Sequence, residues 1–281
     1  MIKYNFTLTI LIVMLTLGLY ATEDIDLSEV EEKQLKVDLG NDIYLELVWI
    51  PPGSFRMGSP EGEQDRSHDE GPAIDISIKS GFWMGKYPVT QAQWQQVMKD
   101  NPSYFIDNSN HPVEQVTIEM CQQFIELLNQ NFKPEDIKGT FRLPTEPEWE
   151  YACRANTQSR YYYGDDPDYI LIANYAWHKA NSRNQTQPVG QKTPNAFGLY
   201  DMHGNVWEIC IDDYTPYYLR SFDIETEKNI PQQLYPEPVL RGGSWYSSAE
   251  KCRSSYRHIF FMPDNTVGFR LVYDVLVDDD L

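Results

Sequence analysis

The stretch NAFGLYDMHGNVWE, residues 195–208, carries the clearest structural and chemical signal in this chain of 281 residues. Asp201 and Glu208 place two carboxylates in one short segment, and Gly204 between them allows the backbone to turn. Their side chains and the intervening carbonyl groups can therefore converge on a hard cation such as calcium, which takes about six to eight oxygen ligands. The alternative is an ordinary turn at Asp201 and a surface charge at Glu208.

The composition is acidic and rich in aromatic residues. The chain has 23 Lys+Arg against 42 Asp+Glu, which gives a formal net charge of −19. Nucleic acid is excluded as a partner because phosphates require a basic surface, and an anionic membrane surface is disfavoured for the same reason. The 41% of hydrophobic residues are enough for a folded core, and the 19 tyrosines and 7 tryptophans favour loop-rich structure.

The N-terminal residues 1–21 are predicted to form a secretory signal peptide. Lys3 precedes an apolar run from Phe6 to Leu19, which is shorter than the about 20 residues that a membrane-spanning helix needs. Cleavage is expected after Ala21, with an uncleaved N-terminal anchor as the alternative. The protein is then exported to the periplasm, the envelope or the medium, without membrane insertion of the mature domain. Residues 22–40 are predicted as an acidic leader and residues 41–281 as one domain.

Four cysteines, at positions 121, 153, 210 and 252, bear on the redox compartment. In an exported protein we expect some of them to form disulfides, and the three possible full pairings stay open. The sequence has no Cys-x-x-Cys motif and no paired histidines, which excludes a structural zinc site. The five histidines are isolated in sequence, and each is interpreted as a surface or packing residue.

Periodicity and capping residues predict an α+β domain. Alternating strand patterns occur at 44–50 and 74–78, and residues 54–58 are predicted to pair with the first of these strands. Three helices are predicted to begin after Thr90, Thr117 and Thr145, whose hydroxyl groups can cap them. Cys121 falls on the apolar side of the second helix. Beyond Cys153 the sequence consists of short apolar runs between Asn, Gly, Pro and Asp, which indicates mostly loop.

Six further phrases accompany the opening stretch. They are WIPPGSFRMGS at 49–59, YPVTQAQW at 87–94, HPVEQV at 111–116, FRLPTEPEWEYA at 141–152, RGGSW at 241–245 and GFRL at 268–271. Taken in order, these phrases resemble the formylglycine-generating enzyme family, also called the sulfatase-modifying factor domain. The resemblance covers nearly the whole chain after residue 40. It implies the C-type-lectin-like variant fold of that family, which has little regular secondary structure.

The resemblance also implies structural calcium. In the family one calcium ion is bound by the residues that match Asp201 and Glu208 and by the carbonyl groups that match Gly204 and Val206. A second family calcium site maps onto a group of four positions, of which the last could serve only through its carbonyl group: Asn174, Tyr175, Asn181 and Arg183. Calcium is therefore the expected cofactor.

Oxidase chemistry in this family requires two cysteines that hold copper(I) shortly after the Gly-Gly-Ser phrase. Counted forward from that phrase, the first cysteine position is Ser247 and the second is Cys252. A soft metal needs thiolate ligands and a hydroxyl group is a poor substitute, so copper is not expected. Ser244 and Trp207 match residues that line the family's active groove, and with Cys252 they are the weak catalytic candidates. The histidine triad of the family's iron-dependent branch is not found in the sequence.

Two functions from different classes follow from these observations. The first is an exported binding or envelope accessory module that uses the fold as a rigid frame for a groove between Ser244 and Phe261, with a protein or peptide as partner. The alternative is a formylglycine-generating oxidase that converts a sulfatase cysteine to formylglycine. The apolar run from His258 to Met262 is either a contact patch or a core strand, and the core strand is favoured.

Overall fold

The computed structural model of the protein describes residues 34–134, 137–214 and 237–275. The predicted signal peptide and most of the predicted leader lie outside these residues. The described strands, in chain order, are β1 (Gln34–Asp38), β2 (Tyr44–Ile50), β3 (Gly53–Met57), β4 (Ile74–Ile78), β5 (Phe82–Gly85), β6 (Gly139–Arg142), β7 (Trp207–Asp213), β8 (Pro238–Arg241), β9 (Arg257–Ile259), β10 (Val267–Gly268) and β11 (Val272–Val275).

The strands form three sheets. The largest has the order β1-β2-β5-β11-β6, with every neighbouring pair antiparallel. The second has the order β10-β7-β8-β9, in which β10 and β7 run parallel. The third contains only β3 and β4. The strand β11 therefore brings the C-terminal end of the described chain into the middle of the main sheet.

Three α-helices are present in the described residues, and each begins where the sequence predicts. They are α1 (Gln91–Met98), α2 (Ile118–Asn131) and α3 (Glu146–Arg154). The hydroxyl groups of Thr90, Thr117 and Thr145 accept hydrogen bonds from backbone N–H groups of the first helical turns. These local caps confirm the predicted helix starts. No helix in the described ranges is long and apolar enough to cross a membrane.

Two predictions about strands are corrected. The residues after Pro52 do not pair with β2, because β1 and β5 already occupy both edges of β2; β3 pairs with β4 instead. The strand β1 lies within the predicted leader and pairs with β2 over its whole length. Val37 in β1 is buried opposite Leu45, so this part of the acidic segment contributes to the core.

Buried guanidinium groups hold the loop-rich second half together. Arg241 lies at the end of β8 and donates to the carbonyl oxygens of Ser254, Ser255 and Tyr256 at 2.6–3.0 Å. Arg253 forms ion pairs with Glu63 and Glu70, and other fully buried arginines pair with glutamates in the same way. Backbone groups that lack a helix or sheet partner are thus satisfied by side chains, which explains how so irregular a segment stays ordered.

Candidate functional site

The predicted ligand Asp201 is fully buried beside the segment that follows Val189. Its Oδ2 atom accepts a hydrogen bond from the backbone N–H of Gly190 at 2.7 Å, whereas its Oδ1 atom has no partner in the described structure. Burial raises the pKa of this carboxyl to about 6; the Gly190 hydrogen bond and the charge of Arg270 oppose the rise, and the charge of Glu208 adds to it. Asp201 therefore has one side-chain oxygen available for a cation or a proton.

Glu208, by contrast, is fully engaged by protein groups. Arg270 donates from Nη2 to Oε1 and from Nε to Oε2, both at 2.8 Å, and the indole N–H of Trp149 donates to Oε2 at 2.7 Å. All three side chains are buried. A bidentate guanidinium supplies the positive charge that the buried carboxylate needs, so Glu208 in this arrangement does not offer its oxygens to calcium.

Gly204 and Val206 lie in the close-packed backbone between the two acids. Gly204 has φ +79°, and a Cβ atom there would lie 2.1 Å from the carbonyl oxygen of Trp177. Its N–H donates to the carbonyl oxygen of Gly242 at 2.8 Å. The stretch therefore packs its backbone against the Gly-Gly phrase, which explains why glycine is needed at position 204.

In the second predicted calcium set, the side chain of Asn181 already has protein partners. The side chain of Asn181 accepts from the N–H of His178 at 2.8 Å and donates to the carbonyl oxygen of Ala176 at 2.9 Å. Asn174 and Arg183 are exposed, and the carbonyl oxygen of Tyr175 accepts from a tyrosine hydroxyl at 3.5 Å.

The side chains of the two predicted calcium sets differ in how far protein groups already engage them. Glu208 and Asn181 have other partners, and Asp201 Oδ1 is the side-chain oxygen of the first set that lacks one. Within the described ranges, no group of three or more His, Cys, Asp or Glu residues is placed to hold a metal ion. The calcium assignment made from the resemblance stays a prediction for both sets; in this structure Glu208 and Asn181 are engaged by protein groups, and Asp201 Oδ1 is not.

The catalytic candidate Ser244 closes a turn with Ser247, the position that matches the family's first copper ligand. The hydroxyl of Ser247 lies 3.0 Å from the N–H of Ser244 and 3.1 Å from its hydroxyl. Cys252 is fully buried, its Sγ atom lies 3.7 Å from the carbonyl oxygen of Ser248, and burial raises the pKa of its thiol. A hydrogen-bonded hydroxyl and a thiol that resists ionisation do not fit a copper(I) ion.

The side chain of Trp207 packs in the protein core. Its side chain is 6% exposed, and its ring packs against Tyr256 and His258 with centroid distances of 5.9 and 5.4 Å. The structural use of this tryptophan is thus evident from its contacts.

The expectation of disulfides is wrong. All four cysteines are free and buried. Cys121 lies on the apolar side of α2, as predicted, and packs in the main core with Phe124. The Sγ atom of Cys153 lies 3.7 Å from the hydroxyl of Ser254 and 3.9 Å from Nδ1 of His203. Each thiol is thus buried without forming a disulfide.

Sequence reasoning missed Glu114, a buried carboxylate with an incomplete set of partners. Its Oε1 atom accepts from the N–H of Phe105 at 2.8 Å, and its Oε2 atom has no partner in the described structure. Burial raises the pKa of this carboxyl to about 7. Hydrogen bonds from the backbone of Phe105 and Tyr104 lower the pKa, and the charge of Asp264 raises it further. A signal was present, because Glu114 stands between the apolar residues of the phrase at 111–116.

Several large apolar side chains are exposed, two of them in a run for which a core strand was favoured over a contact patch. The run from His258 to Met262 was expected to be a core strand, but β9 ends at Ile259, and Phe261 and Met262 are 69% and 68% exposed. The core-strand interpretation is therefore wrong for these two residues. Tyr104, Ile106 and Tyr246 are further large side chains that are exposed in the described residues.

The few helices, the three sheets and the long irregular second half define an α+β domain of the C-type-lectin-like variant class, as predicted. The chain belongs to the sulfatase-modifying factor enzyme 1-like domain family, whose family model matches residues 40–275. The predicted family is thus confirmed.

Three similar proteins illustrate the range of this family. The chaperone protein LppX of Paenibacillus barcinonensis is 33% identical over 222 residues, which cover 63% of this chain and 74% of LppX. The formylglycine-generating enzyme of Mycobacterium tuberculosis is 32% identical over an alignment of 310 positions, gaps included. The alignment covers 82% of this chain and 98% of that enzyme. The solved structure of PvdO from Pseudomonas aeruginosa superimposes with a TM-score of 0.71 at 25% identity, covering 85% of this chain and 98% of PvdO.

Proposed function

We propose that this protein is an exported binding or accessory module that lacks the copper-dependent oxidase chemistry of its family. The observation that carries the proposal is the state of the two positions that match the family's copper ligands. Ser247 stands at the first, and its hydroxyl closes a turn with Ser244. Cys252 stands at the second and is buried.

The chemistry of these two groups argues against an oxidase. Copper(I) prefers thiolate ligands, and removing one of two thiolates from a site sharply lowers its affinity for a soft metal. The remaining thiol would have to ionise inside the protein, where desolvation opposes the charge, and the charge of Glu250 opposes it further. The chain therefore lacks both the donor set and the local environment for the family's copper centre.

A binding role agrees with two further observations. The relative LppX is named a chaperone protein, and the present chain covers 74% of its length. Large apolar side chains at Tyr104, Ile106, Tyr246, Phe261 and Met262 are exposed, and interaction surfaces commonly expose such side chains. The apolar N-terminal run before Ala21 supports action outside the cytoplasm, with a protein or peptide as the partner.

A formylglycine-generating oxidase is the second candidate. It is supported by the 32% identity with the Mycobacterium tuberculosis enzyme, which this chain covers over nearly its whole length, and by the cysteine at position 252. The serine at position 247 distinguishes the two candidates.

Copper(I) titration of the protein against a competing chelator tests the proposal. We expect the affinity of the wild-type protein to equal that of the Cys252→Ser variant, because Cys252 in the wild type does not form a copper site. The Cys121→Ser variant is the matched control, since it also removes a buried thiol. A tight copper(I) site that is lost in Cys252→Ser and retained in Cys121→Ser would overturn the proposal.

A further inference from the structure

We propose that the protonation state of Glu114 controls the opening of the loop that follows α1, residues 99–110. The loop stays closed while the Glu114 side chain is neutral and opens more often once that side chain is charged. This inference goes beyond the proposed function and does not depend on it. The loop contains no helix or strand, and Tyr104 and Ile106 within it are exposed. A change of pH therefore changes how often this segment leaves the body of the domain.

Two side chains from outside the loop hold its middle in place. The Oε1 atom of Glu114 accepts a hydrogen bond from the N–H of Phe105 at 2.8 Å, and the Nε2 atom of Gln91 donates to the carbonyl oxygen of Phe105 at 2.7 Å. In addition, the hydroxyl of Ser103 accepts the N–H of Glu114 at 3.2 Å. Phe105 is thus attached to one amide and one carboxyl group, and of these two groups only the carboxyl titrates.

The carboxyl group of Glu114 lies where its charged form is disfavoured. The side chain is fully buried, and its Oε2 atom has no partner among the described residues. Burial raises its pKa to about 7, the hydrogen bonds from the backbone of Phe105 and Tyr104 oppose the rise, and the like charge of Asp264 adds to it. In the closed loop, an ionised Glu114 is therefore a desolvated charge that the two hydrogen bonds compensate only in part.

The other titratable groups on the neighbouring segments do not offset this charge. His111, on the same segment as Glu114, is buried, and burial lowers the pKa of its imidazole, which favours the neutral form. The helix α1 carries no charged residue, and the segment before β10 carries Asp264. The loop 99–110 itself has one cation and two acids, all at exposed positions: Lys99, Asp100 and Asp107.

Opening of the loop gives the carboxyl group access to water and removes the cost of burying its charge. In the open state the group ionises near its ordinary pKa of 4.5, and in the closed state near 7. The closed loop is therefore favoured fully below about pH 4.5, and this advantage is lost as the pH rises to about 7. Above that pH the opening equilibrium no longer changes, because the carboxyl is ionised in both states.

Hydrogen–deuterium exchange followed by mass spectrometry tests this inference on the full-length protein. The wild type is compared with Glu114→Gln, in which the side-chain oxygen can still accept the N–H of Phe105. The ratio of the two exchange rates at one pH cancels the catalysis of exchange by base and reports the opening equilibrium. For residues 103–107 the ratio of wild type to variant should rise at least about tenfold from pH 5 to pH 7 and then level off.

Dependence on urea separates opening of the loop from unfolding of the domain. Unfolding also gives water access to Glu114, so pH alone does not distinguish the two events. Local opening exposes little surface, and exchange of residues 103–107 should therefore be nearly insensitive to low concentrations of urea. The slowest amides of α2 exchange through larger openings and should speed up under the same conditions.

Two matched variants identify the source of the pH dependence. Glu126→Gln makes the same substitution at an exposed position of α2, and the exchange of the loop should equal that of the wild type at every pH. Asp264→Asn removes the like charge near Glu114 and should reduce the rise between pH 5 and pH 7. The asparagine can still accept the N–H of Thr266 through its side-chain oxygen. The thermal midpoint checks that each variant is folded.

Two outcomes would overturn the inference. The first is a ratio for residues 103–107 that stays constant from pH 5 to pH 8. The second is exchange of the loop that matches the slowest amides of α2 in rate and in urea dependence, because the loop would then open only when the domain unfolds. The copper(I) titration that tests the proposed function does not involve Glu114, so the two proposals fail independently.

Discussion

Replacing Arg270 with methionine is expected to lower the free energy of unfolding by about 3–5 kcal/mol, because it leaves the carboxylate of Glu208 buried without its countercharge. Arg270 is fully buried and makes two hydrogen bonds to Glu208. It also donates to the carbonyl oxygens of Gly85 and Tyr200 at 2.7 and 2.8 Å. Denaturant unfolding monitored by tryptophan fluorescence measures the change.

Two further variants establish the cause of this loss. Lys86→Met removes the ion pair between Lys86 and Glu46, whose N–O distance of 2.9 Å is similar. Because the side chain of Glu46 is 43% exposed, this substitution should lower the free energy of unfolding by only about 0–1 kcal/mol. Adding Glu208→Gln to Arg270→Met should restore part of the stability because it removes the unpaired charge. A loss below about 1 kcal/mol in Arg270→Met, together with a lower thermal midpoint of the wild type in EDTA, would show that a bound cation neutralises Glu208 instead.

Replacing Glu114 with glutamine is expected to stabilise the protein at pH 8 by about 1–3 kcal/mol and to have little stabilising effect at pH 4.5. Burial raises the pKa of Glu114 from 4.5 to about 7. Between these values the folded protein binds more protons at this site than the unfolded chain, so its stability falls as pH rises. Above pH 7 the full cost of the buried charge is present, and glutamine avoids it while its side-chain oxygen can still accept the N–H of Phe105.

Thermal unfolding of both proteins from pH 4.5 to pH 8 measures this difference. Glu126→Gln is the matched control, because it makes the same substitution at an exposed position of α2. The difference in stability between Glu126→Gln and wild type should stay the same from pH 4.5 to pH 8. If Glu114→Gln were as stable relative to wild type at pH 8 as at pH 4.5, the buried carboxylate would not be the source of the pH dependence.

Local signals in the sequence were sufficient to place the helices. The hydroxyl of Thr145 and the carboxylate of Glu148 form a reciprocal cap within four residues, and such a contact depends on little else in the chain. Strand pairing was harder to predict. Residues 54–58 were assigned to the wrong partner because pairing depends on which edges other strands have already taken, and these strands come from distant parts of the sequence.

The candidate site shows the same division between local and distant contacts. The stretch 195–208 was identified correctly as a tight, glycine-dependent segment, but the partner of Glu208 is Arg270, which lies 62 residues later. The apolar run ending at Met262 could not be assigned to core or surface from its composition, since exposure depends on what the rest of the fold leaves uncovered. Disulfides were expected from the predicted compartment, whereas all four cysteines are free and buried in the structure.

Incubation with copper(I), oxygen, a thiol reductant that supplies the two further electrons, and a peptide containing a Cys-x-Pro-x-Arg sequence is the most direct test of the central claim, that Ser247 and the buried Cys252 leave no oxidase centre. Mass spectrometry of the peptide follows conversion of the cysteine to an aldehyde, with a relative of proven oxidase activity as the positive control. We predict that the peptide cysteine stays unchanged by this protein. Catalytic formation of formylglycine that requires Cys252 would contradict the account.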